Sequence, residues 1–143
     1  MSVPVAERRG SGAAVALLRI AGAGLLLAIA GIHLYLWQDG YRDIPDIGNA
    51  FMAQAVLGIG GALLLLVSPA RFVRGAAVLG ALFSAGSLLA LLLSSVKLFG
   101  RDPGMFDFVE SPAANLWGET VLVEVAGLVV LTVLAVVAPR LRR

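Results

Sequence analysis

The chain has 143 residues, of which 59% are hydrophobic and 14% charged, and its mean hydropathy is +0.94. This composition is far more apolar than that of soluble domains, so it indicates an integral membrane protein built as one domain. The absence of cysteine excludes disulfides, thiolate metal ligands and thiol nucleophiles. The net charge of +2 comes from residues that flank apolar segments, so it indicates membrane orientation and no nucleic-acid partner.

Four apolar segments are long enough to cross the ~30 Å hydrocarbon core of a bilayer as helices. A polar tail of residues 1–12 precedes the first segment, which is too long for a signal peptide and has no cleavage site, so we expect it to be retained. Residues 13–138 form the predicted membrane domain, and residues 139–143 form a basic tail. The predicted spans are residues 13–37, 48–67, 71–99 and 113–137.

Short connections with helix-breaking residues separate the spans. Ser68 and Pro69, and again Ser111 and Pro112, combine a capping serine with a proline at the first helical position, which predicts the start of the third and fourth spans. The longest connection, residues 100–112, is apolar enough to lie on the membrane surface or to fold over the bundle. Together these features predict an all-α fold, a transmembrane four-helix bundle with up-down topology.

The basic residues predict the orientation of the chain. Eight of the eleven flank the spans on the side of the two termini, while Arg42, Lys97 and Arg101 lie on the other side. By the positive-inside rule both termini are expected to be cytoplasmic. Ten arginines against one lysine, with abundant alanine and glycine, favour a bacterial source and thus the bacterial plasma membrane. An aromatic belt marks the outer interface, and its members are Tyr35, Trp37, Tyr41 and Trp117.

Small residues recur at helical spacing within the spans. In a membrane such stripes let two helices approach closely. We expect them to be packing faces inside the monomer, with a homodimer seam as the alternative. The stripes are Gly24, Ala28 and Gly31 on the first span, Gly58, Gly60 and Gly61 on the second, and Ala77, Ala81 and Ala85 on the third.

The fourth span carries two acids, Glu119 and Glu124. By helical rise Glu124 lies about 15 Å below the start of the span, near the middle of the bilayer. An acid at that depth costs roughly 2.5 to 3.5 kcal/mol on insertion scales, so it is expected to face a protein interior or a wet cavity, protonated or hydrogen-bonded. The residues that share its face, and are expected to point inward with it, are Trp117, Thr120, Gly127 and Leu131.

Other polar side chains are predicted at nearby depths. His33, Gln54 and Glu119 lie roughly 6, 9 and 8 Å from the outer ends of their spans. In an up-down bundle they are expected to converge on an outward-opening polar cavity. The ligand-binding or proton-carrying set is Glu124, Glu119, His33 and Gln54, and the connector and pocket rim are Tyr41, Arg42, Asp43, Lys97 and Trp117. The alternative is structural: an interfacial role for His33 and an interhelical hydrogen bond for Gln54.

The sequence offers no set of residues for known cofactor chemistry. One histidine cannot give bis-histidine haem ligation within a monomer, and no histidine cluster provides a metal site. Nucleophile and nucleotide-binding fingerprints are also missing. We therefore expect no catalytic residues, no metal and no cofactor, and favour a non-enzymatic protein.

The segment that begins at Gly31 reads GIHLYLWQDGYRDIPDIGNAFMAQAVLG. It resembles a family of small, uncharacterised actinobacterial four-span membrane proteins with a histidine-aromatic ending to the first span and a GYRDIP-type connector. The family's phenylalanine-glycine end of the third span and acid in the fourth are similar to Phe99, Gly100 and Glu124. In topology the chain is also similar to DoxX-like proteins, some of which are associated with quinone-linked complexes. These resemblances imply no established activity, and they single out His33, Tyr41, Arg42, Asp43, Pro45 and Glu124.

Three functions are compatible with these features. The leading expectation is an outer-leaflet polar pocket that binds a lipid-like or small ligand, or docks a larger membrane complex. The first alternative is a proton-coupled small transporter or channel in which Glu124 exchanges a proton. The second is a subunit of a quinone-linked redox complex. The expected partners are the bilayer and a membrane protein or second copy, with a lipid or quinone as the candidate ligand.

Overall fold

The structure, a computed structural model, describes residues 5–96 and 109–138, with side chains from residue 12 onward. It is an all-helical bundle, as predicted. Each of its four long helices contains a segment long and apolar enough to cross a membrane, so the chain is a multi-pass membrane protein. The helices are α1 (Val5–Gln38), α2 (Ile47–Val67), α3 (Val73–Ser94) and α4 (Trp117–Val137).

The helices alternate in direction. α1 packs against α2 and α4, and α3 packs mainly against α4. We call the two ends of the bundle the terminal end and the cavity end. At the terminal end, Arg19 near the start of α1 meets the end of α2, and Arg74 near the start of α3 meets the end of α4. The opposite end, the cavity end, holds the α1–α2 and α3–α4 connections. This arrangement is the predicted up-down topology.

Two arginines close the C-terminal ends of neighbouring helices. The Arg19 guanidinium donates hydrogen bonds to the carbonyl oxygens of Leu65, Leu66 and Ser68, at 2.8 to 3.1 Å. Arg74 donates to those of Val136 at 3.1 Å and Ala138 at 2.5 Å. The last carbonyls of a helix have no partner within the helix and carry negative partial charge, so a cation there is favourable. Both arginines thus contribute to packing as well as to charge distribution.

The half of the interior nearest the terminal end is apolar. Leu131 of α4 lies at its centre, where its side chain comes close to two glycines on facing helices. A Cβ built on Gly22 would lie 2.7 Å from Leu131 Cδ2, and one built on Gly80 would lie 2.9 Å from Leu131 Cδ1. The buried apolar cluster around it comprises Ala23, Leu26, Ala62, Leu65, Val73, Ala76, Ala77, Leu131, Leu134 and Ala138.

At the terminal end, α1 begins at Val5, eight residues before the predicted span, and at the cavity end two helix boundaries differ from the prediction. α3 ends at Ser94, because the Ser94 and Ser95 hydroxyls both bond to the Leu91 carbonyl and Ser95 takes the C-cap position. α4 begins at Trp117, four residues later than predicted. Ser111 caps only a short turn, in which the Ala113 amide donates a hydrogen bond to the Ser111 hydroxyl. Leu116 then adopts a left-handed conformation (φ 59°) before the helix starts.

The small-residue stripes are only partly packing faces. Gly58 is buried against α1, and Ala77 is fully buried. Gly24 and Gly31 are exposed, with open space where a Cβ would stand, so the stripe predicted on α1 does not face the bundle. The inward face of α1 instead carries Leu26, Ile29, Ala30 and His33.

Candidate functional site

A cavity lies between the helices at the cavity end. Its volume is about 80 Å³, which is room for several water molecules, since one water needs about 10–15 Å³ in this measure. All four helices contribute to its largely apolar wall, and a few polar groups converge on it, an arrangement typical of small-molecule sites. The lining residues are His33, Leu36, Tyr41, Ile47, Ala50, Phe51, Gln54, Ser87, Ala90, Leu91, Ser94, Glu110, Asn115, Trp117 and Thr120.

His33 and Gln54 line the cavity together, as the helical rise predicts. His33 is buried, and its Nδ1 lies 2.8 Å from the Ile29 carbonyl oxygen one turn earlier. Because a carbonyl only accepts, Nδ1 carries the hydrogen, and in the neutral ring Nε2 then carries the lone pair. The Gln54 Oε1 is buried and has no hydrogen-bond partner among the described residues. The two side chains therefore leave acceptor capacity at the cavity.

Tyr41 forms the connector side of the cavity. Its ring stacks on Phe51 at a centroid distance of 4.7 Å, and the edge of Phe51 contacts His33 at 5.0 Å. The Tyr41 hydroxyl donates to Glu110 Oε2 at 2.9 Å. Burial, reinforced by this hydrogen bond and by the negative charge of Glu110, raises the pKa of Tyr41 to about 12. The aromatic wall is thus held in place by a bond to a carboxylate from another part of the chain.

Three polar residues of the lining were not predicted from the sequence: Ser87, Asn115 and, most notably, the acid Glu110. It is buried, with 8% of its surface exposed. The Ser111 amide donates to Glu110 Oε1 at 3.0 Å, and the Glu110 amide donates to the Ser94 carbonyl at 2.8 Å. These bonds hold the chain before α4 against the end of α3. An irregular connection has no periodicity, and the only sequence signal for Glu110 is an isolated acid close to a predicted helix start.

Glu124 lies one layer below the cavity. It is fully buried at 0% exposure, so the predicted inward orientation is confirmed. It does not line the cavity itself; Ser87, which does, donates a short hydrogen bond to Glu124 Oε1. The Glu124 Oε2 atom and the buried Ser84 hydroxyl on the facing helix have no hydrogen-bond partner among the described residues. Ser87 therefore stands between Glu124 and the cavity, and its hydroxyl links the two through a hydrogen bond.

Trp117 joins the cavity as predicted, and its Nε1 donates to Ser95 Oγ at 3.0 Å. Three other predicted members do not. Glu119 is exposed, because five helical residues rotate it about 140° from Glu124. Arg42 and Asp43 are also exposed; they form an ion pair with each other, Nε to Oδ2 at 3.7 Å, outside the lining.

One predicted rim residue, Lys97, lies outside the described residues. Within the described part of the chain, no three histidine, cysteine or acidic side chains come together to hold a metal ion.

The polar character of the interior stops one turn below Glu124. Ser84 and Gly127 face each other there: a Cβ built on Gly127 would lie 2.9 Å from Ser84 Oγ. From this level to the arginines at the terminal end, the described core is the apolar cluster around Leu131. The cavity is therefore closed at its inner side.

Comparison of the chain with protein-family models, with curated proteins and with solved structures found no match.

Proposed function

We propose that this chain is a non-enzymatic membrane protein whose cavity binds a lipid-like or small amphipathic ligand. The observation that carries the proposal is a largely apolar cavity, lined by all four helices, on which His33, Gln54 and Glu110 converge. A ligand with an apolar body and a polar head matches such a wall. The unpartnered Gln54 Oε1 supports the same conclusion, because a buried polar atom gains most from a ligand that bonds to it.

The proposal includes the orientation of the chain. The arginines at the terminal end favour the cytoplasmic side of a bacterial plasma membrane, so the cavity would open in the outer leaflet. Because the chain has no cysteine, a single cysteine can report the side of each end. Asp39→Cys in intact cells is expected to react with a membrane-impermeant maleimide, and Arg71→Cys only after lysis. The reverse pattern would place the cavity in the inner leaflet.

Ligand occupancy is tested with a matched pair of substitutions on α2. Ala50 and Ala53 are both exposed, but only Ala50 lines the cavity. Ala50→Phe is therefore expected to fill the mouth of the cavity, while Ala53→Phe adds the same ring to the outer surface. Each protein is purified in nonionic detergent and examined by native mass spectrometry and by mass spectrometry of its organic extract.

A lipid or small molecule enriched with the wild type and with Ala53→Phe, and lost from Ala50→Phe, is the expected result. A quinone in that extract would favour the quinone-linked alternative suggested by the DoxX-like resemblance. Co-purification of a membrane protein without a small molecule would favour the docking role. No enriched molecule, or equal retention by both variants, would overturn the ligand proposal.

A proton-coupled transporter is the second candidate, and the link from the cavity through Ser87 to the buried Glu124 favours it. Against it stands the apolar cluster around Leu131, which separates Glu124 from the terminal end in the described part of the chain. Proteoliposomes separate the two candidates. Solute uptake that follows a pH gradient and disappears in Glu124→Gln would establish transport, whereas ligand retention without flux would establish binding alone.

A further inference from the structure

We propose that the head group which the cavity accepts is an organic cation, an ammonium group attached to an apolar body. This inference rests on the proposed ligand-binding function and specifies the charge of the ligand. It follows from three properties of the lining: its one formal charge, its aromatic rings and its free hydrogen-bond acceptors.

The formal charge of the lining is negative. Glu110 is the one acid among the described lining residues, and no arginine or lysine is among them. Its carboxylate accepts hydrogen bonds from Tyr41 and Ser111, both of which are neutral donors, and no ion pair joins it to a described residue. A carboxylate that is largely buried beside an apolar cavity gains from an opposite charge that enters the cavity. An anionic head group would be repelled for the same reason.

Aromatic rings provide the second property. Tyr41, Phe51 and Trp117 line the cavity together with the His33 imidazole. Cations are attracted to the faces of aromatic rings, and aromatic cages recognise quaternary ammonium groups in this way. A wall that combines three such rings with one carboxylate suits an alkylammonium group, whose methylenes or methyl groups pack against the rings while its charge approaches Glu110.

Two polar side chains of the lining offer hydrogen-bond acceptors. His33 Nε2 has a lone pair in the neutral ring, because Nδ1 donates to Ile29. Gln54 Oε1 is buried without a partner among the described residues. The two acceptors match a head group that donates hydrogen bonds, as a primary ammonium does.

The surroundings of the mouth have the same sign. Among the described residues, the connections at the cavity end and the first turn of α4 carry five acids and one basic residue, Arg42. An acidic surface around a low-dielectric cleft raises the local concentration of cations. The acids are Asp39, Asp43, Asp46, Glu110 and Glu119.

The test uses three probes with one apolar body and different heads: phenylbutylammonium, phenylbutanol and phenylbutyrate. Binding at neutral pH is measured by isothermal titration calorimetry in nonionic detergent, with Ala50→Phe as the blank for partition into the micelle. The wild type is expected to bind the ammonium at least about tenfold more tightly than the alcohol, and to bind the carboxylate most weakly. A tenfold ratio of affinities corresponds to about 1.4 kcal/mol.

Three variants test whether the preference comes from the site. Glu110→Gln keeps the shape and removes the charge, and it is expected to reduce ammonium binding about tenfold while leaving the alcohol unchanged. Glu119→Gln, which removes an exposed acid from the same end, is expected to change neither. Phe51→Leu is expected to weaken ammonium binding several-fold, because one ring is lost. Thermal unfolding of each variant confirms that the bundle is intact.

The outcomes separate the inference from the proposed function. Equal affinity for all three heads, unaffected by Glu110→Gln, would overturn the cation inference and leave the cavity as a neutral ligand site. No binding of any probe, together with no retained lipid, would overturn both. If the inference holds, nanodiscs identify the source of the cation: enrichment of phosphatidylethanolamine or phosphatidylcholine over phosphatidylglycerol indicates a lipid head group, and no enrichment indicates a free amine.

Discussion

Replacing Gly58 with alanine tests how closely α1 and α2 must approach to form the cavity. A Cβ at this position would lie 2.9 Å from the Leu26 carbonyl oxygen and 2.9 Å from Ala30 Cβ. Both neighbours belong to α1, and one of them is backbone, so a rotamer change cannot relieve the contact. The helices would have to separate locally by several tenths of an ångström.

The magnitude follows from a comparison with Gly60. A Cβ at Gly60 meets nothing within 4 Å, and both glycines lie in the middle of α2. Each alanine gains roughly 1 kcal/mol of helix propensity, so this contribution cancels between the two variants. Overpacking of a well-packed contact costs about 1–3 kcal/mol. We therefore expect Gly58→Ala to be less stable than Gly60→Ala by about 1–3 kcal/mol.

The assay is reversible unfolding in mixed micelles, followed by tryptophan fluorescence, with both variants measured against the wild type. The cavity should report the same change, because Gln54 lies one turn from Gly58 on α2 and His33 lies three residues from Ala30 on α1. Probe binding is therefore expected to fall in Gly58→Ala and to persist in Gly60→Ala. Equal stability of the two variants would refute the close approach of α1 and α2.

Three further predictions concern the hydrogen bonds of the structure. Arg19→Ala should lower the free energy of unfolding by about 2 kcal/mol or more, because hydrogen bonds from a charged donor contribute about 1.5–3 kcal/mol. The control Arg71→Ala loses a ring contact with Phe72, and its free energy of unfolding should stay near that of the wild type. The pKa of about 12 at Tyr41 should fall part of the way toward 10 in Glu110→Gln, because burial, the largest cause, remains; phenolate absorbance in a Tyr35→Phe background measures it. The stability that the neutral phenol contributes is present below pH 10 and is lost as the pH rises from 10 to 12. The double variant Glu124→Leu, Ser87→Ala should be more stable than the wild type by on the order of 1 kcal/mol, because it removes the cost of placing an acid in the bilayer. A free energy of unfolding below that of the wild type would contradict this expectation.

Much of the fold follows from the sequence because the bilayer allows few alternatives. A membrane-spanning segment must satisfy its backbone internally, so four long apolar runs become four helices, and short connections make neighbours antiparallel. The same constraint predicts the burial of Glu124, since lipid cannot solvate an acid. It also places His33 and Gln54 at one level, because depth depends only on helical rise.

Other features depend on contacts that leave no local pattern. The α1 stripe with Gly24 and Gly31 faces outward, because lipid and protein interior are equally apolar and a small residue is tolerated on either side. Arg19 and Arg74 fit the orientation rule, so their bonds to helix ends are invisible in the sequence. Glu110 is fixed by tertiary hydrogen bonds from Tyr41 and to Ser94, in a connection with no periodicity.

The energetic balance at Glu124 indicates that stability alone does not account for this acid. An acid at the bilayer centre costs roughly 2.5–3.5 kcal/mol on insertion scales. The described structure provides one hydrogen bond to it, from Ser87, and such bonds between membrane helices contribute about 0.6 and at most about 1.7 kcal/mol. A leucine at this position would not carry this deficit. Because Ser87 both bonds to Glu124 and lines the cavity, the proposed ligand site gives a reason for the bundle to retain this carboxyl group at a cost in stability.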